Sequence, residues 1–193
     1  MKLLILVRHA EAAPGPASLS DIDRPLQPLG RRDALAMARH LSDLEVYPEA
    51  IISSPAVRAL STAAAFETQF SVPVESVDEI YEANTKTLLE IIQQQDPHKK
   101  TVMLVGHNPG ITVLLSVLTG KPYLPVPTGA VAVLMFPGSS WRNIRPGKGW
   151  FHTGFSPRSG PLRVEPRREI PLTRIDRFRI WWFRKFRQPL KDV

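Results

Sequence analysis

The chain of 193 residues contains no cysteine. That excludes a disulfide framework, a thiolate metal site and a thiol nucleophile, and permits a reducing compartment. Long apolar runs are also missing. Leu3-Leu4-Ile5-Leu6-Val7 follows Lys2, but Arg8 and His9 end the run well short of the seven to fifteen residues or so of a signal h-region. Nothing approaches the roughly twenty apolar residues of a membrane span. A soluble, cytoplasmic protein is the resulting expectation. Strong charge is absent from most of the length. The net charge is +7, yet residues 159–193 hold 10 basic against 4 acidic residues, leaving residues 1–158 nearly neutral. A neutral body argues against a nucleic-acid protein throughout and allows a basic appendage that meets something anionic.

What is present suits a buried core: 43% hydrophobic and 22% charged residues, too apolar for a disordered chain. Leu3–Val7, Ala50–Ile52 and Thr101–Val105 read as short strands. Val72–Val77, Ala130–Phe136 and Trp150–Phe155 supply further strands. Helical spacing runs from Gly30 through Ala34, Leu35, Ala38, Leu41 and Leu44. A second helix spans Ala56 to Phe70, with Val57, Leu60, Ala64 and Phe66 as apolar positions. Leu88 to Ile92 and Ile111 to Leu118 suit two more. Alternating strands and helices predict a three-layer α/β/α sandwich with a largely parallel central sheet. The boundaries are 1–158 for the domain and 159–193 for an arginine- and aromatic-rich tail.

Three polar clusters follow predicted strands: Arg8-His9, Ser53-Ser54-Pro55 leading to Arg58, and Gly106-His107-Asn108-Pro109-Gly110. Open α/β sheets bind ligands outside the carboxyl ends of their strands, so two arginines and two histidines can share one crevice. Arginine forks match phosphate oxygens. A neutral imidazole can attack phosphorus and form a covalent intermediate, and a second histidine can hold an equatorial oxygen. Spacing does not say which histidine attacks. Arg24 can line the rim of such a pocket, although an isolated loop arginine reads as a surface residue. His40 and His98 read as structural, and His152 lies in a late strand.

The set resembles the histidine phosphatase superfamily, also called phosphoglycerate-mutase-like. Val7-Arg8-His9-Ala10-Glu11 is similar to its first signature and Ser53-Ser54-Pro55-Ala56-Val57-Arg58-Ala59 to its second. Val105-Gly106-His107-Asn108-Pro109-Gly110 is similar to its third, in the form of the short SixA-type phosphohistidine phosphatases. Asp23-Arg24-Pro25-Leu26-Gln27-Pro28-Leu29-Gly30-Arg31 resembles the loop that opens the first helix in those members. The likeness covers residues 2–158. A departure occurs at Leu60-Ser61-Thr62, where many members have glutamine before the threonine.

The resemblance implies a phosphoglycerate-mutase-like fold and a metal-independent phosphatase without cofactor. His9 would be the nucleophile; Arg8, Arg58 and His107 would bind the phosphoryl group. Glu82 would be the proton donor. Only Ala59 to Gly106 separate Arg58 from His107, which leaves little chain for a lid. An open crevice favours phosphohistidine on a protein as substrate. The alternatives are a phosphomonoesterase or mutase on a small phosphorylated metabolite, and a phospho-ligand binding module with negligible turnover. Residues 174–187 place Ile175, Phe178, Trp182 and Phe186 on one side of a helical wheel, with arginines largely opposite. That pattern suits peripheral contact with an anionic membrane, single-stranded nucleic acid, or packing back onto protein.

Overall fold

Alternation within two buried strands decides the architecture. In β1 (Lys2–Arg8), Leu4 and Leu6 face one side of the sheet while Ile5 and Val7 face the other, all fully buried. In β4 (Thr101–Gly106), Val102 and Leu104 join the first face, and Met103 and Val105 the second. A sheet apolar on both faces needs a helical layer on each. The first is covered by α3 (Thr85–Gln93) and α4 (Gly110–Thr119), through Leu88, Ile92, Leu114 and Leu118. The second is covered by α1 (Pro28–Asp43) and α2 (Val57–Phe70), through Met37, Leu41, Ala63 and Phe66. The computed structural model describes residues 1–16 and 18–162 and shows the expected three-layer sandwich.

The seven strands lie in the order β3-β2-β4-β1-β5-β6-β7. β2 is Ala50–Ser53, β3 Val74–Ser76, β5 Val131–Phe136, β6 Trp150–Ser156 and β7 Gly160–Pro161. The half formed by β3, β2, β4 and β1 is parallel. β5, β6 and β7 add antiparallel strands on the other flank. No α-helix separates these last strands, and antiparallel neighbours need no crossover. The sheet also continues past the expected boundary at residue 158, since β7 pairs with β6 and the Leu162 amide donates to the Gly154 carbonyl at 2.8 Å. The 174–187 segment lies outside the described residues. Among the described residues, no helix is long and apolar enough to cross a membrane.

Local sequence explains the helix starts. Pro28, not Gly30, opens α1, because its fixed φ suits the first helical position. Gly30 is required for a different reason: a β-carbon there would lie 2.3 Å from the Glu11 carbonyl oxygen. This close approach seats α1 against the chain leaving β1. In α2 the buried stripe is Ala59, Ala63 and Phe66; Leu60 is only half-buried and Ala64 is exposed, a rotation from the expected face. Asn84 caps α3 by accepting from the Thr87 amide at 3.0 Å.

Candidate active site

Strand register brings the three motifs to one edge. Arg8 ends β1 opposite Gly106 of β4, and Ser53 of β2 lies opposite Val105. The residues that follow therefore emerge side by side. Arg8, His9, Arg58, Glu82 and His107 all line a single cavity of about 730 Å³. The His9 and His107 rings stand 4.9 Å apart, centroid to centroid.

The backbone around His9 is held on several sides. Its amide donates to the Gly106 carbonyl at 3.0 Å, and the Gly129 amide donates to the carbonyls of Arg8 and His9, each at 3.1 Å. The next amide, of Ala10, donates to Thr62 Oγ1 at 3.0 Å, and that hydroxyl donates to the Arg58 carbonyl at 2.7 Å. Thr62 thus ties the first motif to the second, a contact the motif reading did not contain. In the ring, Nδ1 lies 2.7 Å from the Ala10 carbonyl oxygen. A carbonyl only accepts, so Nδ1 carries the proton and the neutral ring keeps its lone pair on Nε2. Burial, assisted by Arg58, Arg8 and Arg24, lowers the His9 pKa to about 4, against the opposing bond to Ala10. His9 is accordingly neutral at neutral pH.

His107 Nε2 pairs with the Ser54 hydroxyl at 2.8 Å. Burial, then His9 and Arg58, lowers its pKa to about 3, with Asp21 opposing. At neutral pH it offers one N–H rather than a charge. Three buried side-chain polar atoms among the described residues have no hydrogen-bond partner, and two of them are His107 Nδ1 and Arg8 Nε. Such orphans are costly, and two of the three belong to residues lining this cavity.

Arg8 is aimed by a loop. Its Nη1 donates to the Val126 carbonyl at 2.9 Å, and Asn108 Nδ2 donates to the same oxygen at 3.0 Å. Asn108 Oδ1 accepts from the Thr112 hydroxyl at 2.9 Å, while Thr112 Oγ1 accepts from the Val126 amide at 3.1 Å. Thr112 is fully buried. Thr112→Val keeps the shape but strands the Val126 N–H and one lone pair of Asn108. Urea denaturation should show a loss of about 1–3 kcal/mol; an unchanged midpoint would remove this network from the account.

Three carboxylates border the cavity. Glu11 is paired with Arg158, which also reaches Asp33 at 3.0 Å. Asp21 Oδ1 pairs with Arg24 Nη1 at 2.8 Å, and its Oδ2 accepts from Arg58 Nη2 at 2.7 Å and from the Tyr81 hydroxyl at 3.0 Å. These bonds, Arg24's first, hold its pKa at about 2. Glu82 is exposed, sits at φ +52° and has no ion-pair partner among the described residues.

Asp21 and Tyr81 escaped the sequence reading, and Arg24, read there as a surface residue, lines the cavity. The only available signal was the position of Asp21 two residues before Asp23, in a loop with no periodicity. Of the remaining histidines, His40 packs edge-on against Phe155 at 4.3 Å, and His98 is exposed.

Residues 4–88 match the profile of the histidine phosphatase superfamily (branch 1). An uncharacterized chloroplastic protein of Arabidopsis thaliana is 33% identical over 72% of this chain and 68% of its own length. Among solved structures, one assigned as the phosphohistidine phosphatase SixA of Agrobacterium tumefaciens is 33% identical, with a TM-score of 0.66 over 70% of this chain and 92% of that one. The chain belongs to the histidine phosphatase superfamily. Within that superfamily it is of the SixA type. A protein histidine phosphatase SixA complexed with tungstate is 25% identical, with a TM-score of 0.70 over 80% of this chain and 97% of that one. Superfamily membership and these neighbours indicate a phosphatase.

Proposed function

We propose that the chain removes phosphoryl groups from phosphohistidine on a protein, by way of a phosphorylated His9. The observation that carries this reading is the His9 tautomer: Nδ1–H is committed to the Ala10 carbonyl, which leaves Nε2 as the nucleophilic atom in a cavity shared with Arg8, Arg58 and His107. The ring is already neutral, so no proton need be removed before attack.

In the first step His9 Nε2 bonds to phosphorus while the P–N bond to the substrate imidazole breaks. The electron pair goes to that nitrogen, which takes a proton. Glu82 is the carboxyl for this role, since Asp21 is held ionised and Glu11 is paired. Arg8 and Arg58 neutralise the charge on the equatorial oxygens, and His107 turns its Nε2–H from the Ser54 hydroxyl to one of them. In the second step water attacks phosphorus, its proton returns to Glu82, and the P–Nε2 bond breaks to release inorganic phosphate. Imidazole is a better leaving group than an alkoxide and makes a modest demand on the acid.

The protein-substrate half of the reading rests on the SixA likeness and on the chain between Arg58 and His107. Most of that chain is used in α2, β3, α3 and β4, and only Ile80, Glu82, Ala83, Asn84 and Leu88 from it reach the cavity wall. Comparing kcat/KM on a phosphohistidine protein with kcat/KM on a panel of sugar and glycerate phosphates tests it. Higher values on the protein are expected; higher values on any metabolite would displace it.

A pH profile follows from the histidines. Both pKa values are depressed, so the reactive neutral forms persist as pH falls through 6.5 and disappear only near pH 4 and below. Once the ionisation of the substrate and of the proton donor is divided out, kcat/KM should show no histidine limb from pH 7 to 5 and should fall around pH 4. An acid limb at the ordinary histidine value near 6.5 would contradict this.

A further inference from the structure

Asp21 is a carboxylate bordering a cavity built to take an anion. By charge alone it repels the phosphoryl group. Its contacts give it another role. Arg58 is 7% exposed, and it donates to both the backbone carbonyl and the carboxylate of Asp21. The same carboxylate accepts from Tyr81, whose ring meets that of His107 edge-on at 5.6 Å. Its second oxygen holds Arg24. The turn carrying Asp21 is itself fixed: Ser20 Oγ donates to Asp23 at 2.8 Å, and Arg24 Nε donates to the Ala13 carbonyl at 3.0 Å. One residue therefore gathers side chains from α2, from the segment after β3 and from its own loop.

We propose that Asp21 is a positioning residue, fixing the fork of Arg58 directly and the ring of His107 through Tyr81, so that both meet the transferred phosphoryl group. This rests on the phosphatase reading above. Positioning and repulsion predict opposite signs, which makes the proposal decidable. A carboxylate that only repels would, on removal, improve anion binding; one that orients a buried arginine would impair it.

The test is tungstate binding to the full chain by calorimetry, with steady-state kinetics alongside. Asp21→Ala should weaken tungstate by about tenfold, the scale of a lost charge-assisted hydrogen bond. It should also lower kcat as well as raise KM, because Arg58 acts on charge that grows in the transition state. Asp21→Asn keeps one acceptor oxygen and should recover part of the loss. Tyr81→Phe, which leaves the Asp21–Arg58 contact intact, should cost about threefold. Melting curves establish that each variant is folded. Equal or tighter tungstate binding by folded Asp21→Ala would overturn the proposal while leaving the phosphatase reading in place. Absence of tungstate binding by the unaltered chain would instead overturn the phosphoryl site, and this proposal with it.

Discussion

His9→Ala should reduce turnover at least about ten-thousand-fold, the scale seen when a nucleophile is deleted from a catalytic unit. No neighbouring group replaces it. His107 is the nearest imidazole, but its Nε2 is engaged by Ser54 and its ring is centred 4.9 Å away. The arginines donate and cannot attack. The folded state should survive, since the variant gives up one side-chain bond to the Ala10 carbonyl while the backbone bonds to Gly106 and Gly129 remain. Tungstate should still bind, because Arg8, Arg58 and His107 are untouched. A folded His9→Ala enzyme retaining a tenth of the original rate would exclude covalent catalysis through this residue.

Arg58→Ala should lower kcat by about a hundred- to a thousand-fold, the range for a preorganised group that stabilises transition-state charge. The side chain projects from the first turn of α2, is buried and is bonded to Asp21, so solvent cannot substitute for it cheaply. Arg58→Lys separates charge from shape. Lysine restores the cation but not the planar fork that meets a carboxylate and a phosphoryl group together. Its rate should therefore fall between the alanine variant and the unaltered enzyme. Recovery to the full rate would mean that Arg58 serves as a point charge. An alanine variant within threefold of the unaltered kcat would remove Arg58 from the mechanism.

Much of this fold is readable from residues because its central strands are buried on both faces. Leu3–Val7 and Val102–Val105 are uninterrupted apolar runs, and each ends in a motif whose polar residues have no place in a core. Their pairing in register, Arg8 beside Gly106, turns distant motifs into neighbours. Legibility fails where tertiary contacts decide. Ala64 and Ala63 are identical in composition, and only the packing of α2 against the sheet buries one and exposes the other. The antiparallel flank is not encoded by strand patterns, since a buried strand reads alike in either direction. Asp21 and Tyr81 lie 60 residues apart in chain segments without periodicity, and only the closed structure makes them partners. The His9 tautomer likewise depends on where one carbonyl points.

Rapid acid-free quench during turnover, followed by peptide mapping at alkaline pH, addresses the phosphoryl transfer itself. A base-stable, acid-labile phosphate on the peptide containing His9 is the predicted result. Phosphate on His107 instead, or turnover with no labelled enzyme at any time, would contradict the account.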